Sequence, residues 1–344
     1  MKILVTGGLG YIGSHTVVAL QNAGFEVIII DNLSNASVIV LEGITAITGK
    51  TPVFENLDLR SKDRLREFFR NHSGIDGVIH FAAFKSVGES VKQPLLYYEN
   101  NVVALTCLLR ELTKKECNFI FSSSCSVYGE AGASPVTEDS PLQPAESPYG
   151  STKQMGEQIL RDSCKAHPGF NAISLRYFNP AGAHESAEIG ELPLGTARNL
   201  VPLITRTALT PKAELQVFGG DYPTRDGTCI RDYIHITDVA EAHVTALQRL
   251  LQKKQQAPYE VFNIGSGEGT SVLELMRCFE QVSGKKLNYK ITERRQGDVA
   301  IACANTTKAN TVLGWKPRHS LEEALRSAWK WEQKLQSKIT LKSN

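Results

Sequence analysis

Short apolar runs alternate with longer amphipathic segments along the first half of the chain. The runs are typical of buried strands, and the segments, with apolar residues three or four positions apart, are typical of helices that cover a sheet. The pattern predicts strands at 2–6, 25–30, 52–57, 76–81, 117–121 and 172–177. It predicts helices at 14–23, 38–48, 62–71 and 91–113, and another helix that begins at Pro148.

The pattern changes after residue 178. A loop is predicted at 178–183, residues 184–200 are rich in Gly, Pro and polar types, and the later strands (214–218, 261–265, 287–291) and helices (238–252, 271–283, 321–334) are spread out. Because strands joined by crossover helices form parallel sheets, we predict an α/β protein with a Rossmann-type, doubly wound parallel sheet over 1–178. Residues 179–344 are predicted to form mainly a smaller α/β substrate-binding lobe, with some segments returning to the first domain.

The composition excludes several classes of protein. The 344 residues include 38 basic and 36 acidic side chains, dispersed along the chain, which argues against a nucleic-acid or membrane-surface protein. The seven cysteines are scattered, without the spacing of a zinc site, so free thiols in a reducing cytosol fit best and no metal is expected. Glycines interrupt the first apolar run at once, and no run reaches the ~18 residues of a membrane span. We therefore expect a cytoplasmic protein.

A glycine-rich loop joins the first predicted strand to the first helix. Gly7, Gly10 and Gly13 form the pattern G-x-x-G-x-x-G. Such glycines let the backbone approach a pyrophosphate at the N-terminus of the helix. Asp31 ends the next strand, 18 residues after Gly13, where a carboxylate bonds the adenosine ribose and repels a 2′-phosphate. The unit predicts NAD rather than NADP, with Asn32 as a neighbouring contact.

Further candidate cofactor contacts follow the ends of the other predicted strands, where ligands of parallel sheets collect. Asp58 and Leu59 are placed to flank an adenine, and the small Ala82 and Ala83 let a cofactor pass close by. Lys85 can reach a ribose or a phosphate; the alternative is that it is a solvated lysine. The other residues assigned to the cofactor are Tyr11, Ile12, Phe81, Asn100, Tyr149, Lys153, Tyr177 and Phe178.

Tyr149 and Lys153 form a candidate catalytic pair, because four residues along a helix place both on one face. Free tyrosine titrates at about 10, so a base at neutral pH needs a fall of about 3 units, or about 4 kcal/mol. One positive charge at ~6 Å with an effective dielectric of ~20 supplies about 3 kcal/mol. An oxidised nicotinamide would complete the shift. A bare Y-x-x-x-K pattern also occurs by chance on amphipathic helices, so the rest of the chain decides.

With these residues the chain resembles the UDP-glucose 4-epimerase family of the extended short-chain dehydrogenases/reductases. The resemblance spans roughly residues 2–332. It rests on the motifs VTGG (5–8), GSH (13–15), DN (31–32), HFA (80–82) with Lys85, VGES (87–90), FSSS (121–124), VYG (127–129), SPYG (147–150), LRYFNP (175–180), DYPT (221–224), RDYIH (231–235) and RRQGD (294–298).

The resemblance implies reversible C4 epimerisation of UDP-glucose and UDP-galactose. Tyr149 would remove the proton of the sugar 4-hydroxyl while hydride leaves C4 for NAD⁺; the 4-keto sugar would rotate, and hydride and proton would return to the other face. Ser124 would share the proton, and Lys153 would bond the nicotinamide ribose and lower the pKa of Tyr149. The resemblance also implies tightly bound NAD and a homodimer packed through the helix near 94–114 and the Tyr149 helix.

The UDP end of the substrate is assigned by the same resemblance. Arg231 and Arg295 look like the family's diphosphate pair, and guanidinium groups match phosphate bidentately. Phe218 falls where the uracil is held, and Asp298 where the uridine ribose is held. Phe178 either lines the sugar or nicotinamide pocket or belongs to the core. The other positions assigned to the substrate are Ser124, Tyr149, Asn179, Asn199, Leu200, Gln216 and Ala302.

Ala302 departs from the family's glucose- and galactose-restricted members, which carry a bulky Tyr there. A small residue is typical of members that also accept N-acetylated sugars. The difference exceeds the single methylene that is worth only ~1–3 kcal/mol in pocket discrimination. We therefore expect UDP-GlcNAc and UDP-GalNAc to be accepted as well. The alternative is that a neighbour, such as Cys303 or Leu192, fills the space.

Three other functions use the same fold. Nucleotide-sugar 4,6-dehydratases carry Asp-Glu directly after the Ser124 position and UDP-glucuronate decarboxylases keep the Glu, whereas this chain has Cys125 and Ser126 there. A C3/C5 epimerase could use Cys125 as an acid, but that chemistry needs a partnered second acid. A non-catalytic NAD-sensing protein is the third alternative, and the intact Tyr149 and Lys153 argue against it.

Overall fold

The computed structural model describes residues 1–130, 134–193, 195, 199–210, 212–295 and 298–343. Strands and helices alternate along these residues. In these ranges the strands are β1 (Lys2–Thr6), β2 (Glu26–Asp31), β3 (Val53–Asn56), β4 (Ile75–His80), β5 (Cys117–Ser124), β6 (Phe170–Tyr177), β7 (Asn179–Ala181), β8 (Leu215–Phe218), β9 (Ile230–His235), β10 (Tyr259–Ile264), β11 (Gly269–Ser271), β12 (Tyr289–Thr292) and β13 (Ile301–Ala302). The α-helices are α1 (Tyr11–Asn22), α2 (Val40–Thr48), α3 (Lys62–Asn71), α4 (Val87–Lys92), α5 (Pro94–Tyr97), α6 (Ala104–Leu112), α7 (Pro148–Ala166), α8 (Leu200–Leu209), α9 (Ile236–Leu251), α10 (Val272–Ser283) and α11 (Leu321–Ser343).

Seven parallel strands form the central sheet, in the order β10-β6-β5-β4-β1-β2-β3. The order reverses beside β1, so the sheet is doubly wound, as the apolar pattern predicts. One apolar core fills one face, where α1 and α9 pack, and a second core fills the other face beneath α3, α6 and α7. The sheet therefore buries both faces, which is why its strands are almost continuously apolar.

The later part of the chain builds a second group of small sheets. β9 pairs with β7, β11 and β13, and β8 pairs with β12. A separate apolar core joins α8, α10 and α11 to these strands. Two later elements return to the central sheet instead. β10 pairs with β6 along its whole length, and α9 packs on one face of the sheet.

The predicted single helix at 91–113 is wrong. α4 ends before Pro94, since a residue that precedes proline is disfavoured in helical geometry, and Gln93 has φ −135° and ψ 62°. A π-helical turn, Tyr98–Val103, then interrupts the path to α6. This turn carries Asn101, whose side chain bonds the backbone of Phe84 on both sides, at 2.8 and 3.0 Å.

Other corrections concern long-range pairing and boundaries. The predicted loop at 178–183 contains β7, because Asn179 to Ala181 pair with β9, more than fifty positions later. β9 itself and α8 were not predicted. The first helix begins at Tyr11 rather than at position 14, directly after Gly10.

Candidate active site

The glycine-rich loop lies at the carboxyl end of β1, packed tightly against the end of β4. Gly7 has φ +70°, and a Cβ there would lie 2.6 Å from the backbone nitrogen of Ala82. A Cβ on Gly13 would lie 2.2 Å from the carbonyl oxygen of Gly7. Both positions thus require glycine. Gly10 precedes α1 without a side-chain cap, so the first backbone N–H groups of α1, from Tyr11 onward, can serve an anion.

Two carboxylates follow the ends of β2 and β3, where an adenosine is expected. Asp31 is buried and accepts hydrogen bonds from the backbone of Leu9 and Leu33, at 3.2 and 2.9 Å. Burial raises the pKa of Asp31, and these bonds oppose the rise. Asp58 is held by two side-chain bonds from Arg60, which lower its pKa to about 2. Asn32 donates to Asp58 at 3.4 Å, so the two predicted adenosine contacts touch each other.

Lys85 and Asn199, assigned to the cofactor and the substrate, meet at a carboxylate that the sequence did not single out. The Nζ of Lys85 donates to Oε1 of Glu191 at 3.0 Å, and Nδ2 of Asn199 donates to the same oxygen at 2.5 Å. The Glu191 side chain is 13 % exposed. Nε1 of Trp331, on α11, donates to the backbone carbonyl of Glu191 at 3.0 Å. No local motif marks Glu191, because its contact with Lys85 spans 106 positions of the chain.

Tyr149, Lys153 and Ser124 come together at the carboxyl end of β5. Ser147 caps α7 by accepting from the backbone of Gly150, and Pro148 occupies its first turn. Tyr149 and Lys153 then face β5, where Nζ of Lys153 lies 5.8 Å from the centre of the Tyr149 ring. The side chain of Ser124 lies beside the hydroxyl of Tyr149, close enough to act on its pKa as a hydrogen-bond partner.

Burial acts on both members of this pair. It raises the pKa of Tyr149 to about 12, and the hydrogen bond with Ser124 opposes the rise. It lowers the pKa of Lys153 to about 8, and the nearby carboxylate of Glu157 opposes the fall. Nζ of Lys153 donates to the backbone carbonyl of Ser122 at 2.6 Å. The protein alone therefore keeps Tyr149 protonated at neutral pH, which agrees with the need for a further positive charge.

Three aromatic residues assigned to the cofactor lie at the carboxyl ends of β4 and β6. The Tyr177 hydroxyl bonds the side chain of Ser122. Phe81 packs its ring 4.7 Å from that of His243 on α9, so it faces the interior. Phe178 is buried with Val127 and neighbouring apolar residues.

The predicted nucleotide contacts converge from three separate segments. Nη2 of Arg231 lies 3.6 Å from Oδ1 of Asp298, and Nη2 of Arg295 donates to the same oxygen at 2.7 Å. The guanidinium of Arg295 also lies 5.8 Å from the centre of the Phe218 ring. A carboxylate thus stands between the two arginines assigned to a diphosphate. Phe218 is 37 % exposed, an unusual position for a large ring.

Ala302 lies beside this cluster, since its Cα pairs with that of Arg231 across β13 and β9. Paired residues of neighbouring strands face the same side, and successive residues face opposite sides. Cys303 accordingly points away, because its Sγ lies 2.6 Å from the place where a Cβ on Gly269 would stand. Cys303 therefore does not fill the space beside Ala302.

The remaining predicted positions face the core, neighbouring side chains or solvent. The Leu59 side chain is buried in the core, and the Leu200 side chain packs against the core of the second lobe. Gln216 is exposed on β8, and Asn179 opens β7. Asn100 is buried and donates to Asn101 at 3.0 Å, while Ile12 packs against the apolar core and Ala83 is half-buried after β4.

Further findings concern cysteines, metals and membranes. All seven cysteines are free. Within the described ranges, no group of three or more His, Cys, Asp or Glu side chains is placed to hold a metal ion. The same residues include no helix with the length and apolar character to cross a bilayer.

Comparisons with known proteins agree with this geometry. Residues 3–265 match the model of the NAD dependent epimerase/dehydratase family. The chain is 47 % identical to the UDP-glucose 4-epimerase of Erwinia amylovora, over 96 % of this chain and 98 % of that protein. A UDP-glucose 4-epimerase from Stenotrophomonas maltophila, solved with NAD and formylated UDP-arabinopyranose, superposes with a TM-score of 0.93 at 45 % identity, covering 98 % and 99 % of the two chains. The UDP-Glc/GlcNAc 4-epimerase of Campylobacter jejuni superposes with a TM-score of 0.82 at 37 % identity, covering 97 % and 99 %.

The chain therefore belongs to the NAD-dependent epimerase/dehydratase family, and within it to the UDP-glucose 4-epimerases. This confirms the resemblance inferred from the motifs. The protein is an isomerase that uses NAD, so the prediction of a dinucleotide cofactor is also confirmed, and the non-catalytic alternative is wrong. The glycine loop, where a Cβ would collide with backbone at Gly7 and Gly13, fits this cofactor.

Proposed function

We propose that this enzyme interconverts UDP-glucose and UDP-galactose, with the sugar 4-hydroxyl bound between Ser124 and Tyr149. The observation that carries this proposal is the juxtaposition of Ser124, Tyr149 and Lys153 at the carboxyl end of β5. All three lie at the carboxyl edge of the parallel sheet, next to the glycine loop. A base, a shared hydroxyl and a cation at one point are the groups that oxidation of an alcohol needs.

The residues divide the proton chemistry among them. NAD, when bound, supplies the hydride acceptor for sugar C4 and later returns the hydride. Tyr149 takes the 4-hydroxyl proton, and Ser124 shares that proton through its hydrogen bond. Lys153 holds a positive charge near the Tyr149 ring, which favours the phenolate over the phenol. After the 4-keto sugar has rotated to present its other face, Tyr149 returns the proton. The net reaction therefore consumes no reductant.

We further propose that the second lobe holds UDP. Arg231 and Arg295 would exchange Asp298 for the diphosphate, because charge-assisted bidentate bonds suit phosphate oxygens. Phe218, exposed at the end of β8, offers a ring face to the uracil. Asp298, once released, becomes free to accept hydroxyls of the uridine ribose.

We also propose that the enzyme accepts UDP-GlcNAc and UDP-GalNAc. The small side chain of Ala302 lies on the face of Arg231, and Cys303 points to the other face, so that cysteine leaves room for an acetamido group. The Campylobacter jejuni relative described above is named for both UDP-Glc and UDP-GlcNAc. This likeness supports the proposal.

The organisation of the molecule forms part of the proposal. We place the cofactor domain at 1–178 and the substrate lobe mainly at 179–344, with α9 and β10 returning to the cofactor sheet. A cytoplasmic homodimer packed through the segment near 94–114 and α7 fits the exposed apolar side chains along this side. These include Leu95, Val103 and Met155, which are 75 %, 41 % and 44 % exposed. Sedimentation equilibrium of the wild type and of Leu95→Glu tests the dimer, which the charged variant should weaken.

The decisive experiment uses purified protein without added NAD. Incubation with UDP-galactose and, separately, with UDP-GalNAc should give both C4 epimers, identified by NMR of the anomeric protons. Ala302→Tyr is the matched variant, and it should lose UDP-GalNAc turnover while it keeps UDP-galactose turnover. Turnover of UDP-galactose alone by the wild type would refute the Ala302 argument. Turnover of neither, even with NAD supplied, would refute the epimerase proposal.

A further inference from the structure

A buried ion pair joins α7, the helix that carries Tyr149, to the neighbouring strand β6. Glu157 on α7 and Arg176 on β6 have side chains that are only 1 % and 3 % exposed. Arg176 donates to both carboxylate oxygens, at 2.6 and 2.9 Å. Burial of two charges costs free energy that pairing at best offsets, so stability alone does not explain such a pair.

Glu157 contacts Ser123, which lies between the two residues that contact Lys153 and Tyr149. It follows Lys153 by four residues and therefore shares its face of α7. Its Oε1 accepts the hydroxyl of Ser123 at 2.6 Å. Ser123 lies between Ser122, whose carbonyl accepts from Lys153, and Ser124, whose hydroxyl bonds Tyr149. One carboxylate thus contacts the strand end that carries both partners.

We propose that Glu157 is a positioning residue for the proposed epimerisation. Its carboxylate keeps Lys153 in the charged form and fixes the end of β5 against α7. The inference rests on the proposed function, since Lys153 matters only where Tyr149 acts as a base. Glu157 contacts neither substrate nor cofactor in this assignment, and it acts through Lys153 and Ser123.

The titratable groups that face Lys153 come from α7, β4 and β6. Tyr149 and Glu157 come from its own helix, His80 comes from β4, and Tyr177 comes from β6 through Ser122. Burial lowers the pKa of His80 to about 3, so this ring is neutral at neutral pH. Burial also disfavours the Lys153 charge, and Glu157 is the carboxylate that opposes this effect.

Arg176 holds the Glu157 carboxylate in place through its bidentate contact. Nη1 of Arg176 also donates to the Tyr128 hydroxyl at 3.0 Å. Tyr128 donates in turn to Asn263 at 2.6 Å. The pair is therefore held from β6, from β10 and from the segment after β5, which leaves Glu157 little freedom to move away from Lys153.

The chain offers a matched control in a second buried pair. Arg249 on α9 donates to both oxygens of Glu260 on β10, at 2.7 and 2.9 Å, and the two side chains are 10 % and 7 % exposed. This pair has the same chemistry but lies on the other face of the central sheet, where α9 packs against the edge strand β10. Removal of its charge should cost stability without an effect on Lys153.

The test is the pH dependence of kcat for UDP-galactose, in Glu157→Gln, Glu157→Asp and Glu260→Gln. Loss of the Glu157 charge should lower the pKa of Lys153, so Lys153 should lose its proton at lower pH. The alkaline limb of the profile should therefore move down by about 1–2 pH units, the effect of one charge at ~6 Å with an effective dielectric of ~20. Glu157→Asp should restore the wild-type limb, and Glu260→Gln should leave it unmoved.

Each outcome decides the proposal. An unmoved alkaline limb in folded Glu157→Gln overturns it. If that single variant does not fold, Glu157→Gln with Arg176→Gln removes both charges. The alkaline limb should then still move down, but by less than about 1 pH unit, because the loss of the Arg176 charge offsets part of the effect. If neither folds, Glu157 is structural and the positioning role is rejected. Absence of wild-type turnover would instead refute the proposed function, which separates the two failures.

Discussion

The two ends of the candidate site hold their charged groups in different ways. At the cofactor end, Lys153, Asp31 and Tyr149 are buried and bonded to neighbouring backbone or side chains. At the nucleotide end, Arg295 has a side chain that is 58 % exposed, and its charge is met by Asp298. A ligand at the first end enters a site that is already arranged, whereas a ligand at the second end must displace a carboxylate.

This difference matches the proposed exchange of ligands. A cofactor that is regenerated in every cycle has no need to leave, so a tight site is an advantage. A substrate must bind and depart, and an internal carboxylate that competes for the cations limits its affinity. The comparison predicts that changes at the cofactor end alter kcat, and that changes at the nucleotide end alter KM.

The largest effect is expected for Tyr149→Phe. Loss of the base should lower kcat about a thousandfold, within the range of general base catalysis, with little change in KM. Retained NAD and the melting temperature should stay near those of the wild type, since the ring still packs. Steady-state kinetics with UDP-galactose measure the loss. A large rise in KM would contradict the separation of the two ends.

The second effect concerns the charge of the cofactor. Burial raises the pKa of Tyr149 to about 12, so the positive nicotinamide should lower it and the reduced ring should not. One charge at ~6 Å with an effective dielectric of ~20 corresponds to about 2 pH units. Ultraviolet difference titration of the NAD⁺- and NADH-bound protein measures the shift, with Tyr149→Phe as the blank. Equal pKa values in both forms would refute this coupling.

Arg295→Gln should act on KM. Loss of charge-assisted bonds to a diphosphate costs about 1.5–3 kcal/mol, or roughly 10–100-fold in KM. The neighbouring Arg294 bonds Asp221 at 2.8 Å and stacks on Tyr222, so Arg294→Gln is the control and should change KM little. Kinetics with UDP-galactose compare the two variants. Equal effects would remove Arg295 from the nucleotide site.

Glu191→Gln should give the smallest effect. Its bonds to Lys85 and Asn199 are partly exposed, and such pairs are worth about 0.2–1 kcal/mol. Because the carboxylate competes with a bound phosphate for these two groups, its neutralisation should tighten UDP binding by roughly 1.5–5-fold. Calorimetry with UDP measures the change, and Glu185→Gln on the same loop is the control. Weaker binding would mean that Glu191 orders the site instead.

Local segments explain which features could be predicted. The glycine loop, Asp31 and the pair Tyr149–Lys153 each lie within one strand–helix unit, where backbone geometry follows from a short stretch of residues. A single helix at 91–113 is predicted because the apolar spacing continues through it, although Pro94 already disfavours helical geometry at Gln93. The π-helical turn does not show in that spacing, because the bonds of Asn101 to Phe84 and Thr152 depend on neighbouring segments.

The sequence by itself predicted most of the strand–helix alternation of residues 1–178 and the glycine-rich loop, and its resemblance to a family assigned residues to the nucleotide end. The tertiary structure decided which charges meet. Arg231, Arg295 and Phe218 converge around Asp298, and Glu191 joins Lys85 to Asn199, across separations that no local pattern records. Periodicity fixes which side of an element is buried, but a contact between distant segments depends on how the whole sheet and lobe pack. The pairing of Glu157 with Arg176 likewise depends on how α7 packs against β6.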